Sequence, residues 1–254
     1  MNTRPEPRIY DVLSTSMVTP NMRRVSIGGE ALEGFPTGQE GGYLKLRIPG
    51  AAPSDKSFVR TYTIRHQTPT ALDIDFVLHG SGGVGGPAVS WAEAVAPRGR
   101  ISAGGPGPAK SLPPDADWYF VAGDMTALPA IAVNLAALPD KAVGHAVIEV
   151  QTEEDRQDLR HPAGVDIHWL INPEPGHRPE LFEQAVRSVR WDQGNVYAWC
   201  ATEFDAMRRA RTYLRGERGL TPERLYISSY WKLGLVEDQH RDIKQADVIE
   251  TSTS

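Results

Sequence analysis

The chain has 254 residues, 40% of them hydrophobic, enough to bury a core in one large domain or two small ones. Its 27 Lys+Arg against 32 Asp+Glu give a formal charge of -5, with bases interspersed among acids, which excludes the basic footprint of a nucleic-acid binder. The single cysteine, Cys200, excludes an intrachain disulfide and any multi-thiolate zinc or iron–sulfur centre; with no apolar leader and no run of roughly 18 to 20 apolar residues for a membrane span, a reducing, cytoplasmic setting is expected.

Glycine and proline crowd the first part of the chain, with 16 of 24 Gly and 11 of 20 Pro in residues 1–110. Strands and turns are therefore expected there, and β-type runs bounded by Gly, Pro or Asp fall at 23–27, 42–48, 58–65 and 72–78. Residues 43–48 alternate apolar and polar with period two, as a strand with one buried face does. This spacing predicts a small antiparallel barrel, interrupted by a helix over 88–95 that Pro87 opens and Pro97 closes.

After residue 112 apolar runs alternate with helical stretches, the pattern of a parallel sheet. Strands are predicted at 118–122, 145–150, 165–171, 195–199 and 224–228. Helices are predicted at 127–138, 179–188 and 203–215, with a last one at 236–246 followed by a frayed Thr-Ser-Thr-Ser tail. The boundary is placed at Pro113-Pro114, giving domains 1–112 and 113–254.

Four segments can carry chemistry. In Arg60-Thr61-Tyr62-Thr63, strand alternation puts Arg60 and Tyr62 on one face and Thr61 and Thr63 on the other. A guanidinium and a phenol ring side by side suit a ligand with an anionic group and a flat ring, although a half-exposed barrel strand would read the same way. His79 opens a glycine-rich stretch that runs into Gly86-Pro87-Ala88-Val89-Ser90 and a helix start, where free amides and the helix dipole favour a pyrophosphate. Gly104-Gly-Pro-Gly-Pro-Ala-Lys-Ser111 imitates a P-loop, but Ala109 precedes the lysine and two prolines remove amide donors, so a nucleotide triphosphatase is rejected. Val121 to Ala130, containing Thr126, follows a strand and opens a helix at the carboxyl edge where open α/β sheets bind ligands. It lacks Gly-x-Gly-x-x-Gly, which argues against the standard dinucleotide fingerprint. The histidines show no metal-ligand spacing, and no metal site is expected.

In this order, Arg60 to Thr63, His79-Gly with Gly86-Pro-Ala88 and Trp91, Gly104 to Gly107, Ala122 to Ala130, Trp199 to Glu203 and Ser229-Tyr-Trp-Lys232 resemble the siderophore-interacting protein family. These are FAD-dependent ferric-siderophore reductases within the ferredoxin-reductase-like superfamily, and the resemblance covers nearly the whole chain. It implies an N-terminal antiparallel FAD-binding β-barrel followed by an α/β domain that receives NADH or NADPH. Arg60 and Thr61 would then belong to the flavin site, Arg60 on the phosphate, Tyr62 against the isoalloxazine and Thr63 at its N5 edge. His79, Gly86, Pro87, Ala88, Val89 and Ser90 would hold the rest of the nucleotide, with Thr126 near the adenine. Val89 stands where the family pattern has Ser, which removes one hydroxyl. Trp231 would bring an aromatic group toward the flavin, and Lys45 and Lys232 would attract an anionic ferric siderophore. A flavin can take a hydride and pass electrons singly, so Fe(III) leaves its chelator as the more weakly held Fe(II). Glu149, closing a predicted strand, leans toward NADH, and ferredoxin is a third possible donor. The competing readings are a flavin reductase or ferredoxin-type electron-transfer flavoprotein with another acceptor, and a non-enzymatic siderophore-binding protein.

Overall fold

The computed structural model describes residues 6–50, 57–78, 86–235 and 237–252. By contact density the chain forms two compact units: Met1–Ser111 with Ala132–Asn134 and Glu154–Leu159, and the remainder from Leu112 onward.

In the first unit six antiparallel strands close into a barrel: β1 (Arg8–Thr19), β2 (Met22–Gly28), β3 (Tyr43–Ile48), β4 (Phe58–Gln67), β5 (Ala71–Val77) and β6 (Arg100–Gly107), in the order β1-β2-β5-β4-β3-β6. The period-two pattern of β3 is the reason it lies as it does. Leu44, Leu46 and Ile48 are almost fully buried while Lys45 and Arg47 face water. Each buried aliphatic side chain contributes roughly 1.5–3 kcal/mol, so a one-residue slip of β3 would forfeit three at once. Helix α1 (Gly86–Ala94) packs Ala88 and Ala92 onto the barrel core.

Two of these strands, β1 and β6, go beyond the sequence reading. β1 is twelve residues long but mixes polar residues with exposed apolar ones and is interrupted by two register shifts, so its alternation is broken. β6 contains the P-loop-like segment from Gly104; a strand there, with no helix following, removes the geometry a P-loop needs.

The second unit is a five-stranded sheet, every pair parallel, in the order β11-β10-β7-β8-β9. Its strands are β7 (Trp118–Gly123), β8 (Val143–Val150), β9 (Gly164–Ile171), β10 (Val196–Glu203) and β11 (Leu225–Trp231). β7 is central and buried along its whole length. The helices are α2 (Leu128–Ala137), α3 (Pro179–Ser188), α4 (Phe204–Arg211) and α5 (Glu237–Ser252). Two helical expectations are corrected. The stretch expected as one helix over 203–215 is α4 followed by a π-helical turn, Thr212–Glu217, and the last helix, expected to end at 246, runs as α5 to Ser252, the second residue of the Thr-Ser-Thr-Ser tail. The chain leaves β7 for β8 and β9 on one side and returns to β10 and β11 on the other, so strand order reverses between β7 and β10. The carboxyl ends of that pair form the crevice at which such sheets bind ligands.

Candidate functional site

In the barrel the register pairs Arg60 with Leu46 and Tyr62 with Leu44, while Thr61 pairs with Lys45 and Thr63 with Tyr43. Direct partners share a face, so Arg60 and Tyr62 lie on the inward side of β4 and Thr61, Thr63 and Lys45 on the outer side. That inward side opens toward one end of the strand. Ile64 is fully buried, Tyr62 and Arg60 are half-buried, and Phe58 is 40% exposed. The Tyr62 ring lies 4.3 Å from Phe76, which in turn lies 5.5 Å from Trp91 of α1. The Arg60 guanidinium stands over the Phe58 ring at 5.6 Å and donates from Nη1 to the Val59 carbonyl at 2.9 Å. A cation and flat apolar surface thus share one edge of the barrel.

Helix α1 begins with Gly86, exposed at φ 42°, where among the described residues an added Cβ would meet nothing within 4 Å. Ala88 and Val89 are buried, and Pro87 is half-buried. The exposed Ser90 bonds back to the Gly86 carbonyl at 3.3 Å. Val89 therefore serves packing, and only its amide is on offer. His79 and the glycines up to residue 85 lie outside the described residues. On the outer face Lys45 is exposed, and the Tyr43 ring occupies the space of a Gly107 side chain, 2.1 Å from where its Cβ would stand. A guanidinium and a flat ring on one side of β4 are groups that suit a flavin dinucleotide, so these residues fit that group.

In the second unit the carboxyl edge is organised by a residue the sequence reading passed over. Asp124, 3% exposed, follows β7 at the strand-order reversal. Its Oδ1 accepts from the Thr126 amide at 2.8 Å and the Thr126 hydroxyl at 2.5 Å. Its Oδ2 accepts from the Thr202 hydroxyl at 3.0 Å, the Glu203 amide at 3.0 Å and Trp231 Nε1 at 2.8 Å. Three segments that carried the resemblance, 122–130, 199–203 and 229–232, converge on this carboxylate. The available signal was an acid placed directly between an apolar strand and an apolar helix, where a charge needs several partners.

Glu203 caps α4, accepting from the Asp205 and Ala206 amides at 2.6 and 3.2 Å. Glu149 is 5% exposed, and burial with the nearby Asp124 carboxylate pushes its pKa up to about 8. That shift favours the neutral acid at pH 7 and weakens the charge on which the lean toward NADH rests. Lys232 is ion-paired with Asp205 and stands 3.5 Å from Glu203. Burial pulls its pKa down, but the carboxylates raise it further, so its charge is real and already answered. The arginines of α4 are paired too: Arg211 binds Asp247 bidentately at 2.5 and 2.7 Å, and Arg209 reaches Glu183 at 3.0 Å. Among the described residues no cluster of His, Cys, Asp and Glu could hold a metal ion, and no helix is long and apolar enough to cross a membrane.

The "Siderophore-interacting FAD-binding domain" family model matches residues 50–110, and "Siderophore-interacting protein" matches 116–234. The ferric vibriobactin reductase ViuB of Vibrio cholerae is 33% identical over 93% of this chain and 93% of its own. The siderophore-interacting protein SipS of Aeromonas hydrophila superposes with a TM-score of 0.83 at 32% identity, covering 96% of this chain and 98% of that one. Ferredoxin-NADP+ reductase from Plasmodium falciparum shares the fold alone, with a TM-score of 0.63 at 12% identity over 88% of this chain and 96% of that one.

Proposed function

The chain belongs to the siderophore-interacting protein family, and from that premise we propose that it is an FAD-dependent ferric-siderophore reductase drawing electrons from NADH or NADPH. The observation that carries the reading is the Arg60–Tyr62 pair on the open side of β4, with α1 packed against the same barrel core. When bound, FAD supplies the exchange between a two-electron hydride donor and a one-electron Fe(III) acceptor.

The residues of the chain provide the rest. Arg60 binds phosphate through its forked donors, which a lysine could not imitate. Tyr62, held in place by Phe76, presents its ring to the isoalloxazine, while Thr61 and Thr63 line the other side of the strand and Thr63 offers a hydroxyl to the N5 edge. The start of α1, exposed at Gly86 and Ser90, takes the pyrophosphate through its backbone amides, His79 contributes to the same nucleotide site, and Thr126 lies on the adenine side. Trp231 is the aromatic group at the carboxyl edge where the nicotinamide donor binds, and domains 1–112 and 113–254 divide the flavin from that donor. Lys45, exposed on β3, attracts an anionic ferric siderophore. Lys232, tied to Asp205 and Glu203, shapes the edge more than it attracts anions. Fe(III), the substrate, is held by oxygen donors of its chelator, which bind Fe(II) more weakly, so reduction releases it and no protein ligand is required.

An anaerobic absorbance titration of the purified protein tests this. Flavin bands should bleach with NADH or NADPH and return on adding a ferric siderophore, as a ferrous trap develops colour. Bound flavin that neither nicotinamide bleaches would move the donor to a reduced ferredoxin, flavin oxidation indifferent to the ferric chelate would move the acceptor elsewhere, and a protein that takes up no FAD would sink the reading.

A further inference from the structure

We infer that Asp124 is the positioning residue of this reductase: its buried carboxylate fixes the Trp231 indole at the strand-order reversal between β7 and β10. The inference rests on the proposed function for its effect on rate, but not for its geometry. A carboxylate offers about four lone-pair sites. Four donors from Thr126, Thr202 and Glu203 already occupy them, so the fifth bond, from Trp231 Nε1 at 2.8 Å, is not needed to satisfy the acid. Trp231 is only half-buried, so its N–H could equally have bonded water. What the bond adds is orientation. The far edge of the indole packs close as well: Trp231 Cη2 lies 2.8 Å from where a Cβ on Gly176 would stand, space that only a glycine leaves open, and Gly176 holds a left-handed φ of 81°. The nitrogen is held by the bond to Asp124, and the benzo edge lies against Gly176.

The same carboxylate ties together the ends of β7, β10 and β11, through residues 124–126, 202–203 and 231. The crevice and the aromatic group beside it are therefore set by one side chain. Misplacing a group that orients a reactant by about 1 Å costs on the order of a hundredfold in rate, whereas losing a contact that only staples the fold costs stability and leaves kcat in place.

The first test is spectroscopic and uses the intact flavin-loaded chain. The indole N–H resonance that disappears in Trp231→Phe should be protected from hydrogen exchange by at least about tenfold relative to a water-bonded indole. Exchange at the rate of a solvent-exposed tryptophan would overturn the inference, whether or not any variant of Asp124 folds. The second test is a double-mutant cycle with NADH or NADPH and ferric 2,3-dihydroxybenzoate. Trp231→Phe and Asp124→Asn should each lower kcat roughly tenfold with KM for the chelate little changed, and Asp124→Asn should cost less than about twofold more in the Trp231→Phe background. An undiminished loss in that background would show that Asp124 does not act through Trp231. If the parent reduces no ferric chelate, the proposed function has failed, and the indole resonance alone decides the position of Trp231.

Discussion

Arg60 and Tyr62 share the inward side of β4, but only because that strand runs from the core at Ile64 to exposure at Phe58 do they meet solvent at all. Arg60→Ala should weaken FAD binding by about tenfold to a hundredfold, the value of a lost charge-assisted phosphate contact of roughly 1.5–3 kcal/mol, and Arg60→Lys should recover only part, as read by flavin fluorescence titration. Glu149 poses a different test. Its carboxyl titrates at about 8 in the fold against an ordinary 4.5, so between those values the folded chain holds a proton that the unfolded chain has released. Stability should therefore fall as pH rises from about 4.5 to about 8, by up to roughly 4 kcal/mol. Glu149→Gln should flatten that slope in urea unfolding at several pH values; an unchanged slope would mean that Glu149 ionises freely. The strand motif around Arg60 was legible in the sequence because alternation is local. Asp124 was not recognised, because its partners lie 2, 78, 79 and 107 positions away.

Helix α5 shows how an element can be recognised while its attachment is not. Among the described residues it carries polar contacts spaced along one face: His240 to the Ser229 hydroxyl at 2.8 Å, Lys244 to the Ser228 hydroxyl at 2.6 Å and the Ser229 carbonyl at 2.9 Å, and Asp247 to Arg211. Burial, with the Lys244 charge beside it, lowers the His240 pKa to about 4. A base with a lowered pKa stabilises the fold above its unfolded value of 6.5, and that stabilisation drains away as pH falls from about 6.5 to about 4. Amide exchange in α5 should consequently accelerate before that of β7 between pH 6.5 and 4, and also in high salt, since Asp247 pairs with Arg211 and Arg208. Simultaneous exchange of α5 and β7 would refute the polar attachment. By contrast β1 and β6 escaped a local reading: one has register shifts and no clean alternation, the other is rich in Gly and Pro, and each exists because barrel neighbours supply its hydrogen bonds.

Across the molecule, Asp155 shows what closes distant parts of a chain on each other. It is fully buried, and it accepts from the Thr19 hydroxyl at 2.7 Å, the Asn21 amide at 2.9 Å and the Asn21 side-chain amide at 2.7 Å. A segment 136 residues downstream thereby seals the β1–β2 turn. Asp155→Ala leaves three donors without their acceptor and should destabilise the barrel unit by about 2–4 kcal/mol, measured by denaturant unfolding followed at barrel amides. Asp155→Asn should lose less.

The sequence by itself determined the two fold halves, the helix over α3 at 179–188, the flavin motif on a strand and the family resemblance. Each of these is written in short-range periodicity, in turn residues or in motifs a few residues long. Tertiary structure alone decided that the barrel closes through β1 and β6, that Val89 packs inward and that Lys232 is already paired. It also decided that three separate segments meet at Asp124, because each depends on hydrogen bonds and burial between residues far apart in the chain.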